Sequence, residues 1–228
     1  MKLTDYKLEL LKYENDDDKL INDLVIKNKT HSIYGWHYSI DYRAILTRSE
    51  SLLENKELKI LDIGCGPNLN ILHSYIENYK KINVEGIDFA GKNPKIEFNF
   101  NFNQLTINKK YDLIIAVSAL EHQKDLNDFE LSLNKIYEHL NNGGIALITL
   151  SINISSTDNI WDQSINGWLF GVNYLNEKFN TNFTIEDIKG VIETFNNSEH
   201  IKSKYYSRFG SNDKNFPRYI PLLLSIQK

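Results

Sequence analysis

The chain has 228 residues and a formal net charge of −4, with 41% hydrophobic and 25% charged residues. This composition is typical of a soluble globular domain and excludes disordered and collagen-like chains, and no apolar run reaches the roughly 20 residues of a membrane-spanning helix. The acidic balance disfavours nucleic acid as a partner and favours a small molecule. A single cysteine excludes an internal disulfide and a cysteine-based metal cage, and with no apolar leader at the N-terminus it predicts a cytoplasmic protein.

Strands and helices alternate through the middle of the chain. Short apolar runs predict strands at 58–63, 83–89, 96–100, 111–118 and 144–150. Helical spacing of apolar residues predicts helices at 69–79 and 125–140. This alternation predicts a mostly parallel sheet that is covered by helices on both faces.

The C-terminal part continues the pattern after a long insertion. Thr184 to Asp187 is a capping box that predicts a helix to about residue 195. Two further strands are predicted at 201–209 and 219–227. We expect a single domain over 1–228, divided into an N-terminal cap (1–57), a cofactor-binding core (58–150), a lid insertion (151–183) and a C-terminal part (184–228).

A glycine turn, Gly64 to Asn68, follows the first predicted strand. A dinucleotide fingerprint needs a third glycine where Leu69 stands, and the chain has no phosphate-loop motif. Asp62 at the strand end would repel a pyrophosphate and attract an ammonium. A cofactor with a nucleoside, an ammonium and a sulfonium but no phosphate, S-adenosylmethionine, meets this requirement, and Asp88 at the next strand end can accept both ribose hydroxyls. The alternative is that the glycines only form a tight turn and that Asp62 caps the following helix.

Four segments in this order resemble the class I, Rossmann-like S-adenosylmethionine-dependent methyltransferases: LDIGCGPN (61–68), GID (86–88), YDLIIAVSALEH (111–122) and LNNGGIALITL (140–150). The resemblance implies a doubly wound α/β fold with a mostly parallel seven-stranded sheet whose last strand is antiparallel. Residues 1–57 and 151–183 are long for connections, so we also expect an N-terminal helical and aromatic lid and an insertion after the fifth strand. The methyl donor that the resemblance implies is S-adenosylmethionine.

The resemblance assigns cofactor contacts along the same motifs. Asp62, Gly64 and Gly66 would form the turn at the methionine end, Asp88 would hold the ribose, and Asn101 would receive the adenine amine. The full set of expected cofactor-binding residues is Asp62, Gly64, Cys65, Gly66, Asp88, Phe89, Asn101, Phe102 and Ser118.

Methyl transfer from a sulfonium needs alignment of the acceptor, and a base only when the acceptor arrives protonated. His122, directly after the fourth predicted strand, is the first candidate, because an imidazole suits proton removal near neutral pH. A scaffold role for His122 is the alternative. His37 is the second candidate base.

The aromatic residues of the N-terminal segment (1–57) and of the insertion (151–183) predict a lid over the methyl acceptor. The alternative is that these aromatic side chains pack against the sheet. Against a lysine-rich background, the four arginines all lie outside 58–150, and an arginine fork suits an anionic acceptor, such as a phosphorylated or sugar-linked metabolite. The expected substrate residues are Tyr34, Trp36, His37, Tyr38, Trp161, Trp168, Arg43 and Arg208.

The sequence therefore predicts an enzyme that methylates a small polar metabolite, with oxygen ahead of nitrogen as the acceptor atom. N-methylation of a small molecule and a non-catalytic module that keeps the cofactor fold are the alternatives. A nicotinamide-dependent oxidoreductase is disfavoured by Asp62 and by Leu69.

Overall fold

The structure is a computed structural model that describes residues 6–14, 17, 19–20, 23–24, 37–67, 69–89, 96–98, 102–104, 106, 108–209 and 216–228. The side chains of residues 96–98, 200 and 208 lie outside this description. No helix within these ranges is long and apolar enough to cross a membrane.

The described chain contains the following elements. The strands are β1 (Tyr6–Leu10), β2 (Ile60–Ile63), β3 (Val84–Ile87), β4 (Ile96–Phe98), β5 (Tyr111–Val117), β6 (Leu140–Asn153), β7 (Ile160–Asp162), β8 (Gly167–Leu169) and β9 (Tyr219–Gln227). The helices are α1 (Tyr38–Ser49), α2 (Ile71–Tyr75), α3 (Leu126–His139), α4 (Val172–Phe179), α5 (Ile185–Asn196) and α6 (Glu199–Phe209). Short 3-10 turns lie at Leu52–Glu54, Phe102–Gln104 and Leu120–His122, and a π-helical turn at Ile76–Lys80 continues α2.

Seven of the described strands form one sheet in the order β1-β9-β6-β5-β2-β3-β4. Strands β4, β3, β2, β5 and β6 pair in parallel, while β9 is antiparallel to both β6 and β1. This confirms the predicted α/β class and the antiparallel last strand. Because the chain moves from β2 outward to β3 on one side and later to β5 on the other, the strand order reverses between β2 and β5. A crevice at the carboxyl ends of the strands is expected there.

The central strands are buried on both faces, which explains why they read as continuous apolar runs. Every residue of β2 is buried, including Asp62, and the apolar residues of β5 are buried. Helix α3 places Phe129, Leu133 and Ile136 in the core at helical spacing. Hydrophobic packing on both faces of the sheet therefore holds the central strands in place, and with them the sequence motifs at the strand ends.

Two sequence predictions about the outer strands are wrong. Residues 201–209 form the helix α6, because Ile201 and Tyr205 are buried four positions apart, as one helix turn requires. The remaining strand of the sheet is β1, inside the segment predicted as a helical cap. Its side chains alternate, with Leu8 buried between the charged Lys7 and Glu9, and this alternation is the pattern of a strand.

The insertion after β6 folds as a hairpin, β7 and β8, followed by α4. Phe170, directly after β8, forms a parallel bridge with Ile152 of β6. Its ring also packs against Phe129 of α3 with centroids 4.6 Å apart. The hairpin is therefore anchored to the core and lies close to the 3-10 turn that follows β5.

Candidate active site

The glycine turn after β2 is shaped by two residues in the left-handed region, Gly64 with φ 70° and Gly66 with φ 79°. A Cβ on Gly64 would lie 2.4 Å from the Cβ of Ala119, so the turn and the segment after β5 touch closely. The amide of Gly64 donates to the carbonyl of Ile87 at 2.8 Å. The turn therefore joins the ends of β2, β3 and β5. Cys65 within it is fully buried.

Asp62 lies fully buried in β2 and has one carboxylate oxygen in use. Its Oδ2 accepts from the side-chain amide of Asn70 at 3.0 Å and lies 3.1 Å from Nδ1 of His73. Its Oδ1 has no hydrogen-bond partner in the described structure. Burial raises the pKa of Asp62, and the hydrogen bond from His73 opposes that rise. A buried carboxylate oxygen with no donor fits an incoming ammonium.

The structure decides against the alternative in which Asp62 caps the next helix. The N-cap of α2 is Asn70, whose side chain accepts from the amide of His73 at 2.8 Å. Neither Asn70 nor His73 was predicted from the sequence as a site residue. A carboxylate in an apolar strand, such as Asp62, must be hydrogen-bonded when it is buried, and this requirement was the sequence signal for such partners.

Asp88 follows β3 and faces the glycine turn. Its Oδ2 accepts from the amide of Gly66 at 2.9 Å. The next residue, Phe89, is 75% exposed in the described structure and lines the cavity at the strand ends. A carboxylate beside an exposed ring fits a nucleoside, which offers hydroxyls and a flat base.

A cavity of about 340 Å³ lies at the reversal of strand order between β2 and β5. It is lined by Ile63, Gly64, Ile87, Asp88, Phe89, Phe102, Ser118, Ala119, Leu120, His122, Gln123 and Lys124. Six of these belong to the predicted site, so the fold brings together motifs that are far apart in sequence. Gln123 and Lys124 were not predicted.

A larger cavity, of about 680 Å³, lies at the opposite, amino ends of the same strands. Its lysines include Lys109, which pairs with Glu85 at 2.9 Å, and Lys56, whose ammonium donates to the carbonyl of Lys80 at 2.7 Å. None of the predicted site residues lines it. Open α/β sheets bind their ligands at the carboxyl ends, so the smaller cavity is the candidate active site.

Ser118 has the left-handed backbone conformation, with φ 45°, at the end of β5. Its amide donates to Oγ1 of Thr149 at 3.1 Å, and its own hydroxyl is buried without a partner. A residue other than glycine in this conformation is strained, and such strain concentrates at functional sites. Ser118 lines the cavity, and its buried hydroxyl without a hydrogen-bond partner fits a polar group of a ligand.

His122 is exposed at the mouth of this cavity. Its Nδ1 lies 2.8 Å from the carbonyl oxygen of Asn166 in the β7–β8 turn. A carbonyl oxygen only accepts, so Nδ1 carries the proton and Nε2 holds the lone pair. His122 was predicted from the sequence as a site residue, but Asn166, 44 positions further along the chain, was not.

Glu121 lies beside His122 but is buried. One carboxylate oxygen lies 3.4 Å from the hydroxyl of Ser151, and the other has no partner. Burial raises the pKa of Glu121, and the nearby imidazoles of His122 and His37 oppose the rise. This arrangement supports a structural or orienting carboxylate.

His37 is 3% exposed and does not line the cavity. Its Nδ1 lies 2.7 Å from Asp41, and its ring packs edge-on against Tyr219 and Tyr38. This geometry gives the packing alternative more support than the prediction of a base or substrate contact. Tyr38 also packs against Tyr42.

Those of the remaining predicted substrate residues that the structure describes do not line the cavity. Trp161 and Trp168 pack edge-on across the hairpin, with centroids 5.5 Å apart. The guanidinium of Arg43 binds Asp17, Glu14 and the carbonyl of Lys12 instead of facing the cavity. This removes the support that Arg43 gave to an anionic acceptor. Tyr34, Trp36, Asn101 and the side chain of Arg208 lie outside the described residues.

A family model described as "Methyltransferase domain" matches residues 36–197. Among curated proteins, the ubiquinone biosynthesis O-methyltransferase of Rickettsia bellii (strain OSU 85-389) is 25% identical over 162 residues, covering 60% of this chain and 65% of that protein. The chain thus spans somewhat less than two thirds of the length of this relative.

Among the solved structures that share the fold are two methyltransferases. One is the O-methyltransferase from a trans-AT PKS multienzyme of Brevibacillus brevis in complex with S-adenosyl-L-homocysteine, with a TM-score of 0.54, 15% identity and coverage of 97% of this chain and 84% of that one. The other is phosphoethanolamine N-methyltransferase 2 of Haemonchus contortus in complex with S-adenosyl-L-methionine, with a TM-score of 0.55, 15% identity and coverage of 92% and 57%.

Proposed function

Because the chain belongs to the methyltransferase domain family, we propose that it transfers a methyl group from S-adenosylmethionine to a hydroxyl oxygen of a small polar acceptor. Family membership confirms the sequence prediction of an S-adenosylmethionine-dependent methyltransferase. The acceptor and the acceptor atom are the proposed part.

The cavity at the reversal of strand order carries this proposal. Asp88 would accept from the ribose hydroxyls, while the rings of Phe89 and Phe102 would flank the adenine. Ser118 at the cavity wall and the unpartnered oxygen of Asp62 would receive the polar groups of the methionine end. When bound, S-adenosylmethionine supplies a methyl carbon that departs from a positively charged sulfur, which keeps the electron pair of the broken bond.

The chain's own contribution is alignment and proton transfer. A hydroxyl acceptor must lose its proton as its oxygen becomes bonded to carbon, and His122 at the cavity mouth has its Nε2 available to take that proton. This supports oxygen over nitrogen, because an amine that arrives unprotonated needs no base to attack. The curated relative is also named as an O-methyltransferase.

We also infer a cytoplasmic location. Cys65 is the single cysteine of this sequence and is buried, so the sequence can form no internal disulfide, which is ordinary in reducing compartments.

Binding of S-adenosylhomocysteine, measured by calorimetry, tests the cofactor site. We expect Asp88→Ala to weaken binding by about tenfold or more, because charge-assisted hydrogen bonds contribute about 1.5–3 kcal/mol. Glu85→Ala, at the opposite ends of the strands, is the matched control and should bind like the unaltered chain. No measurable binding by the unaltered chain would favour a non-catalytic module.

Transfer of a radiolabelled methyl group tests the acceptor class. The full chain is incubated with labelled S-adenosylmethionine and separate panels of phenols and catechols, of hydroxylated sugars, and of primary and secondary amines. We expect label on hydroxyl compounds. Label on amines alone would replace this proposal with N-methylation.

A further inference from the structure

The β7–β8 hairpin contacts the candidate base directly. The carbonyl oxygen of Asn166 lies 2.8 Å from Nδ1 of His122, at the point where the turn enters β8. His122 is exposed in the described part of the chain, so the described core residues do not enclose its ring. The hairpin is therefore the described partner that sets the direction of the imidazole.

The hairpin is rigidly connected to the sheet at its base. The amide of Phe170 donates to the carbonyl of Ser151 at 2.9 Å, and the amide of Asn153 donates to the carbonyl of Phe170 at 2.9 Å. The amide of Gly171 donates to the side chain of Asn159 at 2.7 Å. These bonds continue β6 into the hairpin, so the position of the turn follows from the position of the sheet.

The turn itself has a defined conformation. Asn166 lies in the left-handed region with φ 53°, and its amide donates to the carbonyl of Gln163 at 3.3 Å. The carboxylate of Asp162 accepts from the amide and the hydroxyl of Ser164 at 2.7 and 2.6 Å. With both halves of the turn bonded, the carbonyl of Asn166 has a fixed direction toward His122.

The approach of the hairpin depends on Gly167. A Cβ at this position would lie 3.0 Å from Nδ1 and 3.3 Å from Cε1 of His122, and 3.2 Å from the carbonyl oxygen of Glu121. The backbone of Gly167 is not in the left-handed region, so conformational freedom does not explain the glycine. The space needed by the imidazole ring does.

We propose that Gly167 and the carbonyl of Asn166 are positioning elements that hold His122 with its proton on Nδ1 and with Nε2 free to accept the proton of the methyl acceptor. This deepens the proposed function and rests on it for the catalytic part. The acceptor O–H would give its proton to Nε2, the carbonyl would continue to accept from Nδ1–H in the imidazolium, and the proton would pass to water at the exposed ring.

Nuclear magnetic resonance of the ¹⁵N-labelled full chain tests this arrangement without any acceptor. Long-range ¹H–¹⁵N correlation spectra distinguish the two tautomers of neutral histidine, and the spectrum of His122→Asn identifies the signals of this residue. We expect the Nδ1–H pattern in the unaltered chain. An Nε2–H pattern there would overturn the proposal, and this measurement needs no variant other than the one used for assignment.

Gly167→Ala should displace the ring and convert the His122 signals to a mixture of tautomers. Gly190→Ala is the matched control, since a Cβ there meets nothing within 4 Å, and its His122 pattern should be that of the unaltered chain. An unchanged pattern in Gly167→Ala would contradict the positioning role.

Kinetics separate this proposal from the proposed function. With any acceptor that takes label, we expect Gly167→Ala to lower kcat roughly tenfold while the dissociation constant for S-adenosylhomocysteine stays the same, as loss of part of a general-base contribution implies. An unchanged kcat would overturn the positioning role in catalysis. Absence of transfer to every acceptor, with the Nδ1–H tautomer present, would count against the proposed function alone.

Discussion

Among single residues, Asp62 links the glycine turn to the helix after it. Burial raises its pKa above the ordinary value of 3.8, while the hydrogen bond and charge of His73 act in the opposite direction. In the free protein the folded state therefore keeps this proton to a higher pH than the unfolded chain does. The associated stability is present below pH 3.8 and is lost as the pH rises through the folded-state pKa.

Cofactor binding should show the opposite dependence. A neutral Asp62 cannot attract an ammonium, so we expect the affinity for S-adenosylhomocysteine to rise with pH through the raised pKa of Asp62 and then level off. Calorimetric titrations across this range check it. Asp62→Asn should bind more weakly and lose this part of the pH dependence. Methylthioadenosine, which lacks the amino-acid portion, should bind both proteins alike.

The cavity residues that could be predicted are those that belong to a short sequence motif at the end of a strand. Gly64, Asp88 and Phe89 stand at strand ends, where a short motif already states the geometry. His73 and Gly167 were missed because each matters through a partner at another position: Asp62 for His73 and His122 for Gly167. A glycine in a polar insertion has no signal of its own until the fold places a ring beside it.

Among the secondary-structure elements, helix α3 depends on a side chain that caps its N-terminus. Its N-cap is Asp125, whose side chain accepts from the amide of Asp128 at 2.9 Å. We expect Asp125→Ala to lower the free energy of unfolding by about 1 kcal/mol, the usual loss for a capping side chain. Urea denaturation measures it. Asp125→Asn keeps a capping oxygen and should cost much less, and equal losses for the two variants would show that the cap is not the cause.

The periodicity of apolar residues predicted some helices and strands correctly and others wrongly. The sequence predicted α3 and the capping box at Thr184 correctly because long apolar repeats and caps agree with each other. It assigned α6 as a strand because a short segment with several aromatic residues fits both periods. It missed β1 because three alternating side chains carry little signal without knowledge of a partner strand.

The molecule as a whole should be stabilised by the ligand of its cavity. At a free concentration of 100 times the dissociation constant, a ligand that binds only the folded state adds about 2.7 kcal/mol to the free energy of unfolding. For a chain of this size we expect S-adenosylhomocysteine to raise Tm by roughly 5–10 °C. Scanning calorimetry with and without ligand checks this, and Asp88→Ala should shift less at the same ligand concentration.

At this scale the sequence predicted the family, the α/β class and the antiparallel last strand, all of which are confirmed. These properties depend on the buried strands and on the turns between them, which leave continuous runs in the sequence. The part of the site proposed to bind the methyl acceptor was predicted in less detail. It depends on how a polar insertion docks on the sheet, and only a few side chains, such as Phe170, decide that.

The pairing of β1 with β9 has a consequence for the order of folding. Tyr6 lies opposite Ile226, so about 220 positions separate two partners in one ladder. Contacts between such distant positions are slow to form, since the loop between them must be closed first. During synthesis the backbone amides and carbonyls of β1 therefore stay without their β9 partners until β9 has been made. The charged Lys7 and Glu9, on either side of the buried Leu8, would disfavour pairing of the unpaired β1 with another chain.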